Sequence, residues 1–395
     1  MSTLTTDALL ASHYPGIIIP RDEDSISFSH IQIIRLVNKF QRSLLNIDIR
    51  SDDTIAIVLP PSMEFLVSLL AATSGSVTVA PLDPEYSQAD FETVFKEIRP
   101  SAVLLAAGSL REHTPAVAAA LACRVPIAEV SFDLKSVTVC EFIRLGRRRS
   151  TDASVSFSKP NRNDTAILLH HSRASGRELR CARFSHSQSI SICQRIEAAH
   201  NFGPADRGML ITPVHQAHGL FLGLLGPLLA GSSVIIPKAF SAQTFWTDCM
   251  FDYATWYTAE ACTQQEIEKL PYPQLLSSVR VVSSDRLAEI MEECLQETEP
   301  DDQEDEEAVE KDSLALQCEA GTTLQCIGRR SCMKGSSTRS SGKKVRFATL
   351  ADEIQSRVIT SPGVPDIRSM LQSWFAVQAL THLTQVYSSF QRVQV

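Results

Sequence analysis

Between Thr54 and Ala106 one pattern repeats: an apolar run, a proline or glycine stop, a helical stretch, then another apolar run. Thr54–Leu59 (TIAIVL) is short, rich in β-branched residues and halted by Pro60 and Pro61, the mark of a buried strand. Met63–Ala72 reads as a helix with Gly75 near its end, and Val77–Ala80 as a strand stopped by Pro81. Ala89–Ile98 is the next helix, broken at Pro100, and Ala102–Ala106 the next strand. Upstream, Ser29 is placed to cap a helix whose apolar face carries Ile31, Ile34, Val37 and Phe40. Strand, helix, strand, helix, strand predicts an α/β fold: a parallel sheet covered by helices.

A second unit follows. Arg144–Asn163 is polar, basic and serine-rich, and reads as an exposed linker. Thr165–Leu169 is a strand, a polar loop follows, and a helix is expected from about Ser187 to His200. Further apolar strands are expected at Met209–Thr212, Ser233–Ile236 and Val279–Val282. Gly219–Ile236 carries no charge over eighteen residues, but its four glycines and a proline favour a buried helix followed by a strand over a membrane span. The expected division is 1–145 and 146–290 for two α/β subdomains, 291–345 for a disordered acidic then Ser/Lys-rich segment, and 346–395 for a short helical tail.

Charge separates these regions. The net charge is −8, yet Glu292–Asp312 alone carries twelve acidic residues and one lysine. The rest is almost neutral and has no basic face for nucleic acid. A solvated spacer is the ordinary meaning of such an acidic run. Ten cysteines occur without a CxxC pair, so neither zinc nor a disulfide framework is expected, and free thiols point to an intracellular, cytoplasmic setting. His170, His171 and His186 cluster in sequence but lack a fourth ligand, so no metal site is expected there. No secretory signal is visible at the N-terminus, and the C-terminal Val-Gln-Val is not a peroxisomal signal.

The stretch 165–200 is where strand, small-residue loop and helix N-terminus would together hold a phosphate. Its loop, His170–His186, has one glycine, and taken alone reads as a surface loop with a basic edge, since one small-residue loop is not a phosphate loop.

From about Phe28 to Leu287 the order of landmarks resembles the adenylate-forming (AMP-binding) superfamily, most of all acyl-CoA synthetases of the oxalate–CoA ligase-like branch. Asp53–Phe65 (DTIAIVLPPSMEF) is similar to its GD-x-VAI-x-LPNS-x-EF stretch, and Val79–Tyr86 (VAPLDPEY) to its AAPLNPAY. Asp164–His170 resembles the strand into its phosphate loop, Pro213–Phe221 (PVHQAHGLF) its PLFHVHGL region, and Val279–Leu287 its RFIRSCSSSL strand. Phe240–Ala242, Phe245–Trp246 and Ala254–Thr258 continue the likeness. The resemblance implies the N-terminal domain of an adenylate-forming enzyme, two α/β subdomains and incomplete, with an irregular C-terminal tail. It implies ATP, Mg2+ and coenzyme A as cofactors and a small carboxylic acid as substrate. By position, Ser172, Ser175, Gly176 and Arg177 would contact phosphate and Arg180 would stand for the loop lysine. His215, Gln216, His218 and Gly219 would line the acyl side.

The departures are specific. The family loop reads close to T-S-G-T-T-G-x-P-K-G, and its first glycine is here Arg173, which brings a side chain where backbone must approach phosphate. Arginine at 180 keeps a cation. No YG-x-TE motif follows Leu287 and no TGD motif appears. Thr338–Arg346 (TRSSGKKVR) is similar to the late K-T-x-x-G-K-I-x-R motif, which would make Lys343 the adenylation lysine. The same residues with Val345 and Phe347 resemble a docking motif for type-1 protein phosphatase, and a chance match in a basic tail is the third reading.

Overall fold

The alternation seen in the sequence closes into two sheets. The computed structural model describes residues 3–9, 12–21, 25–145, 156–172, 179–271 and 279–296, with the backbone alone at 171, 172, 179, 180 and 296. In chain order the elements are β1 (Pro15–Pro20), β2 (Ser25–Ser29), α1 (His30–Asn46), β3 (Thr54–Val58), α2 (Met63–Thr73), β4 (Thr78–Pro81), α3 (Gln88–Ile98), β5 (Ala102–Ala106), α4 (Ser109–Glu112), α5 (Pro115–Cys123), β6 (Ile127–Phe132) and β7 (Val137–Ile143). Then come β8 (Thr165–Ser172), β9 (Leu179–Ser185), α6 (His186–His200), β10 (Arg207–Leu210), a π-helical stretch (His218–Leu225), α7 (Gly226–Leu229), β11 (Ser233–Ile235), α8 (Phe245–Phe251), β12 (Trp256–Thr258), α9 (Ala261–Glu268), β13 (Arg280–Val281) and α10 (Asp285–Gln296).

The helix starts are chemically marked. Ser29 Oγ accepts from Gln32 N and the Gln32 side chain returns to Ser29 N, a reciprocal capping box. Ser87 with Asp90 and Ser185 with Gln188 do the same, and Ser62 caps α2 by accepting from Phe65 N. Each cap satisfies a backbone donor that the first helical turn leaves open, worth about 1 kcal/mol.

The seven-stranded sheet runs β7-β6-β5-β3-β4-β8-β9, parallel in its middle, with β7 and β9 antiparallel at the edges. The six-stranded sheet runs β13-β12-β10-β11-β1-β2, with β2 the antiparallel edge. Side-chain alternation divides the interior into layers. Ile55 and Ile57 of β3 face one core, which also takes Phe40 of α1, Leu66 of α2, Ile192 of α6 and, from the other sheet, Ile17, Val234 and Trp256. Ala56 and Val58 face the opposite way, toward Phe91 and Phe95 of α3 and Val117 of α5. Ile18, Met209 and Ile235 likewise turn from the shared core to Phe245 and Trp246 of α8 and Ile267 of α9. The order is therefore helices, sheet, shared helices, sheet, helices. Each fully buried Leu, Ile or Phe in these layers contributes about 1.5–3 kcal/mol of transfer free energy.

The strands and helices expected between Thr54 and Ala106 are all present. Assignment to sheets differs from the division at 145. The strand at 165 joins the first sheet, pairing Ile167 with Val79, while β1 and β2 belong to the later sheet through Ile17 opposite Val234. Gly219–Ile236 is the π stretch, α7 and β11; among the described residues no helix is long and apolar enough to cross a membrane.

Candidate functional site

The segment expected as strand, loop and helix is built differently. β8 pairs antiparallel with β9, from Thr165 opposite Ser185 to Ser172 opposite Leu179, so residues 173–178 join two strands. α6 begins only after β9. Its first backbone donors are already taken: His186 N donates to Asp164 O at 3.0 Å, Ser187 N to Arg162 O at 2.9 Å and Gln188 N to Ser185 Oγ at 3.2 Å. The expected anion site at the N-terminus of this helix is thereby withdrawn, since those N–H groups have protein partners. Ser172 ends β8 and Arg180 lies in β9; Ser175, Gly176 and Arg177, with Arg173, fall outside the described residues, as do Lys343, Val345 and Phe347.

Parallel strands present their C-terminal ends to one edge, where open α/β sheets bind ligands. On that edge β4 leads into Asp83, and β8, its parallel neighbour, leads into 173–178. On the second sheet β10 leads into 211–217 and β12 into Ala259 and Glu260. The two edges meet where His215 Nε2 stands 3.4 Å from Asp83 Oδ2. Asp83 is a turn residue: its Oδ1 accepts from Glu85 N at 2.8 Å, leaving the other oxygen to His215.

His218 opens the π-helical stretch. Its Nε2 shares a 2.6 Å hydrogen bond with Thr258 Oγ1, whose residue is fully buried on β12. Burial pushes the His218 imidazolium down to a pKa of about 4, so the ring is neutral near pH 7. Burial also lowers His215; the carboxylates of Asp83 and Glu85 oppose the shift without cancelling it. The His215–Asp83 contact is therefore that of a neutral ring beside a carboxylate, not a full ion pair.

Gly219 is required by the close approach of this turn to the strand before it. A Cβ there would overlap the carbonyl oxygen of Pro213. Gln216 serves through its backbone, donating N–H to Pro213 O at 3.4 Å and accepting from Leu220 N at 2.9 Å. Gly223, four residues on, gives the same face room for Leu210 and Thr212. Thr212 Oγ1 is buried with no hydrogen-bond partner among the described residues. A π segment packed beside a buried, unsatisfied hydroxyl is the kind of irregularity found at binding sites. His215, Gln216, His218 and Gly219 are thus brought together. Asp83, Thr258 and Thr212 join them; Asp83 and Thr258 lay in stretches that sequence likeness had singled out, Val79–Tyr86 and Ala254–Thr258, and Thr212 did not.

Residues 10–300 match the model of the family described as AMP-binding enzyme. The chain is 28% identical over 294 residues to the acyl-CoA synthetase FUM10 of Gibberella moniliformis, covering 69% of this chain and 52% of that protein. It is 28% identical over 244 residues to the oxalate–CoA ligase of Arabidopsis thaliana, covering 61% and 46%. The chain thus spans about half the length of the curated relatives it matches. Among solved structures, ATP-bound MatB from Rhodopseudomonas palustris superposes with a TM-score of 0.58 at 20% identity, over 74% of this chain and 57% of that one, a likeness of fold.

Proposed function

The chain belongs to the family of AMP-binding enzymes, and from that premise we propose that it is an ATP-dependent acid–CoA ligase-like protein. A carboxylate oxygen of a small acid attacks the α-phosphorus of ATP, pyrophosphate leaves, and the acyl group then passes from AMP to the thiol of coenzyme A. Phosphate contact is assigned to Ser172, Ser175, Gly176, Arg177 and Arg180, with Lys343 as a further cation. The acid is assigned to the surface formed by His215, Gln216, His218 and Gly219. Mg2+ would offset the charge that builds on the phosphates.

The observation that carries this reading is the convergence of strand ends: β8 leads into 173–178, its neighbour β4 leads into Asp83, and Asp83 touches His215 from the other sheet. Phosphate assigned to the segment after β8 and acid assigned to the turn that meets Asp83 would be neighbours, as transfer of the adenylyl group to a carboxylate requires. The two neutral imidazoles offer hydrogen bonds without a buried charge that would trap a carboxylate.

A second reading, a catalytically dead remnant or interaction protein of the same fold, rests on Arg173 standing where the family loop has glycine. Pyrophosphate exchange with ATP, Mg2+ and a panel of dicarboxylic, medium-chain and aromatic acids separates the two. Exchange that depends on one acid and is abolished by Arg180→Ala supports the ligase. Background exchange for every acid, with no ATP-dependent thermal shift, supports the second reading.

A further inference from the structure

On the face of the seven-stranded sheet that packs against α3, beside the β8 and β9 ends assigned to phosphate, three unlike donors meet. A carboxylate oxygen of Glu97, a ring nitrogen of His170 and the sulfur of Cys181 all lie within 4.8 Å of one another. His170 and Cys181 are directly opposed across β8 and β9, so the ladder itself holds two donors side by side. Glu97 comes from the last turn of α3, its Oε2 3.9 Å from His170 Nε2. Leu168, two residues before His170 and on the same face, belongs to the apolar core beneath, and Cys181 packs against that core.

The donors are graded from interior to surface. His170 is buried, Cys181 half-buried, and the Glu97 side chain is 47% exposed. Such a site is closed on the protein side and open toward solvent, where one coordination position remains for water. The donor set decides the class of ion. A thiolate disfavours Mg2+ and Ca2+, which take oxygen ligands, while nitrogen, sulfur and carboxylate together suit zinc and its neighbours.

We propose that Glu97, His170 and Cys181 form a three-ligand site for a divalent transition ion of the zinc class, completed by water. Bonds of about 2.0–2.3 Å in a tetrahedron put ligand atoms about 3.3–3.8 Å apart. The His170–Glu97 separation is almost there, and the exposed Glu97 side chain has room to close the rest. Without the ion Cys181 holds its proton: burial first, then the charge of Glu97, raises its pKa to about 11. Binding replaces that proton, which passes to the buffer, and no electron is transferred. Sequence spacing had suggested only His170, His171 and His186. His186 is engaged elsewhere, its Nδ1 accepting from Leu4 N at 3.1 Å, and the true companions of His170 come from a helix and a strand that spacing does not connect.

The test uses the tag-free full chain and Co2+ alone as a spectroscopic probe. One equivalent should give a thiolate-to-cobalt charge-transfer band, visible bands of a four-coordinate ion and release of about one proton per ion, all reversed by Zn2+. Cys181→Ser should abolish the charge-transfer band. Glu97→Gln, at an exposed position that leaves the fold intact by circular dichroism, should weaken Co2+ at least about tenfold. Absence of the band in the unsubstituted chain, its persistence in Cys181→Ser, or equal affinity in Glu97→Gln would each overturn the assignment.

Discussion

Replacing Gly219 with alanine tests whether the turn at the candidate site is set by contact between backbones. The added Cβ meets the carbonyl oxygen and carbon of Pro213, then that of Thr212, none of which has a rotamer to change. Overpacking that must be relieved by backbone movement costs about 1–3 kcal/mol. Alanine's better helix propensity returns at most about 1 kcal/mol, less in a π-helical turn than in an α-helix. The expected net loss is about 2 kcal/mol. Two controls bracket it. At Gly223 the added Cβ would lie 2.8 Å from Leu210 Cδ1 and 3.0 Å from Thr212 Oγ1, side-chain ends that can yield, so Gly223→Ala should cost about 1 kcal/mol or less. At Gly203 nothing lies within 4 Å, and Gly203→Ala should stay within about 0.5 kcal/mol of the parent. Urea unfolding followed by tryptophan fluorescence reads the series, with a slope of about 2–3 kcal/mol/M turning 2 kcal/mol into a midpoint shift of roughly 0.7–1 M. A second readout is local: as the turn moves, His218 leaves Thr258 and regains water, so its NMR titration should rise from about 4 toward the ordinary histidine value. Equal midpoints for Gly219→Ala and Gly203→Ala would refute the steric argument.

Three further outcomes follow from the same structure. Because the folded pKa of His218 lies below its unfolded value of 6.5, the unfolded chain binds more protons between the two; stability is full above about pH 6.5 and falls toward pH 4, by up to about 3 kcal/mol from this group. His218→Phe should flatten that slope in urea midpoints measured from pH 7 to 5, and an unchanged slope would sink the assignment. Native alkylation should label the exposed Cys140 and Cys262 first; the buried Cys193 and Cys249, the latter with its pKa pushed up to about 12, should react only on unfolding, as peptide mass spectrometry would record. Glu129 is buried and accepts from Gly108 N at 2.9 Å and Leu110 N at 2.6 Å, so Glu129→Ala should lower the thermal midpoint through the loss of about 2–4 kcal/mol, with Glu129→Gln recovering part of it.

Local chemistry was readable and long-range pairing was not. β3, α2, β4, α3 and β5 could be placed because their runs end at Pro60, Pro81 and Pro100, and α1 because Ser29 stands where a cap is needed. β9 was read as loop, since Arg180 and Arg183 interrupt it and nothing in Leu179–Ser185 signals its partner in β8. β1 escaped notice for the opposite reason: its neighbour β11 is more than two hundred residues away. At the site, family likeness pointed to His215 and His218, and it covered Asp83 only as one residue of Val79–Tyr86, with no role attached. A carboxylate that serves a turn with one oxygen and a distant imidazole with the other leaves no pattern in spacing. The seven described cysteines are free thiols.

The route of the chain through its sheets sets an order on its synthesis. β1 and β2 emerge first but are finished last: their sheet waits for β11 at Ser233–Ile235, whereas the seven-stranded sheet is complete once β9 has left the ribosome at Ser185. Over the intervening synthesis, at about 5–20 residues per second, an early hairpin carries an open edge that has no mate. A released chain truncated near residue 190 should therefore protect β3–β9 from protease while leaving 15–29 cleavable. A deletion of those first strands would injure the distant sheet rather than the one that follows them in sequence.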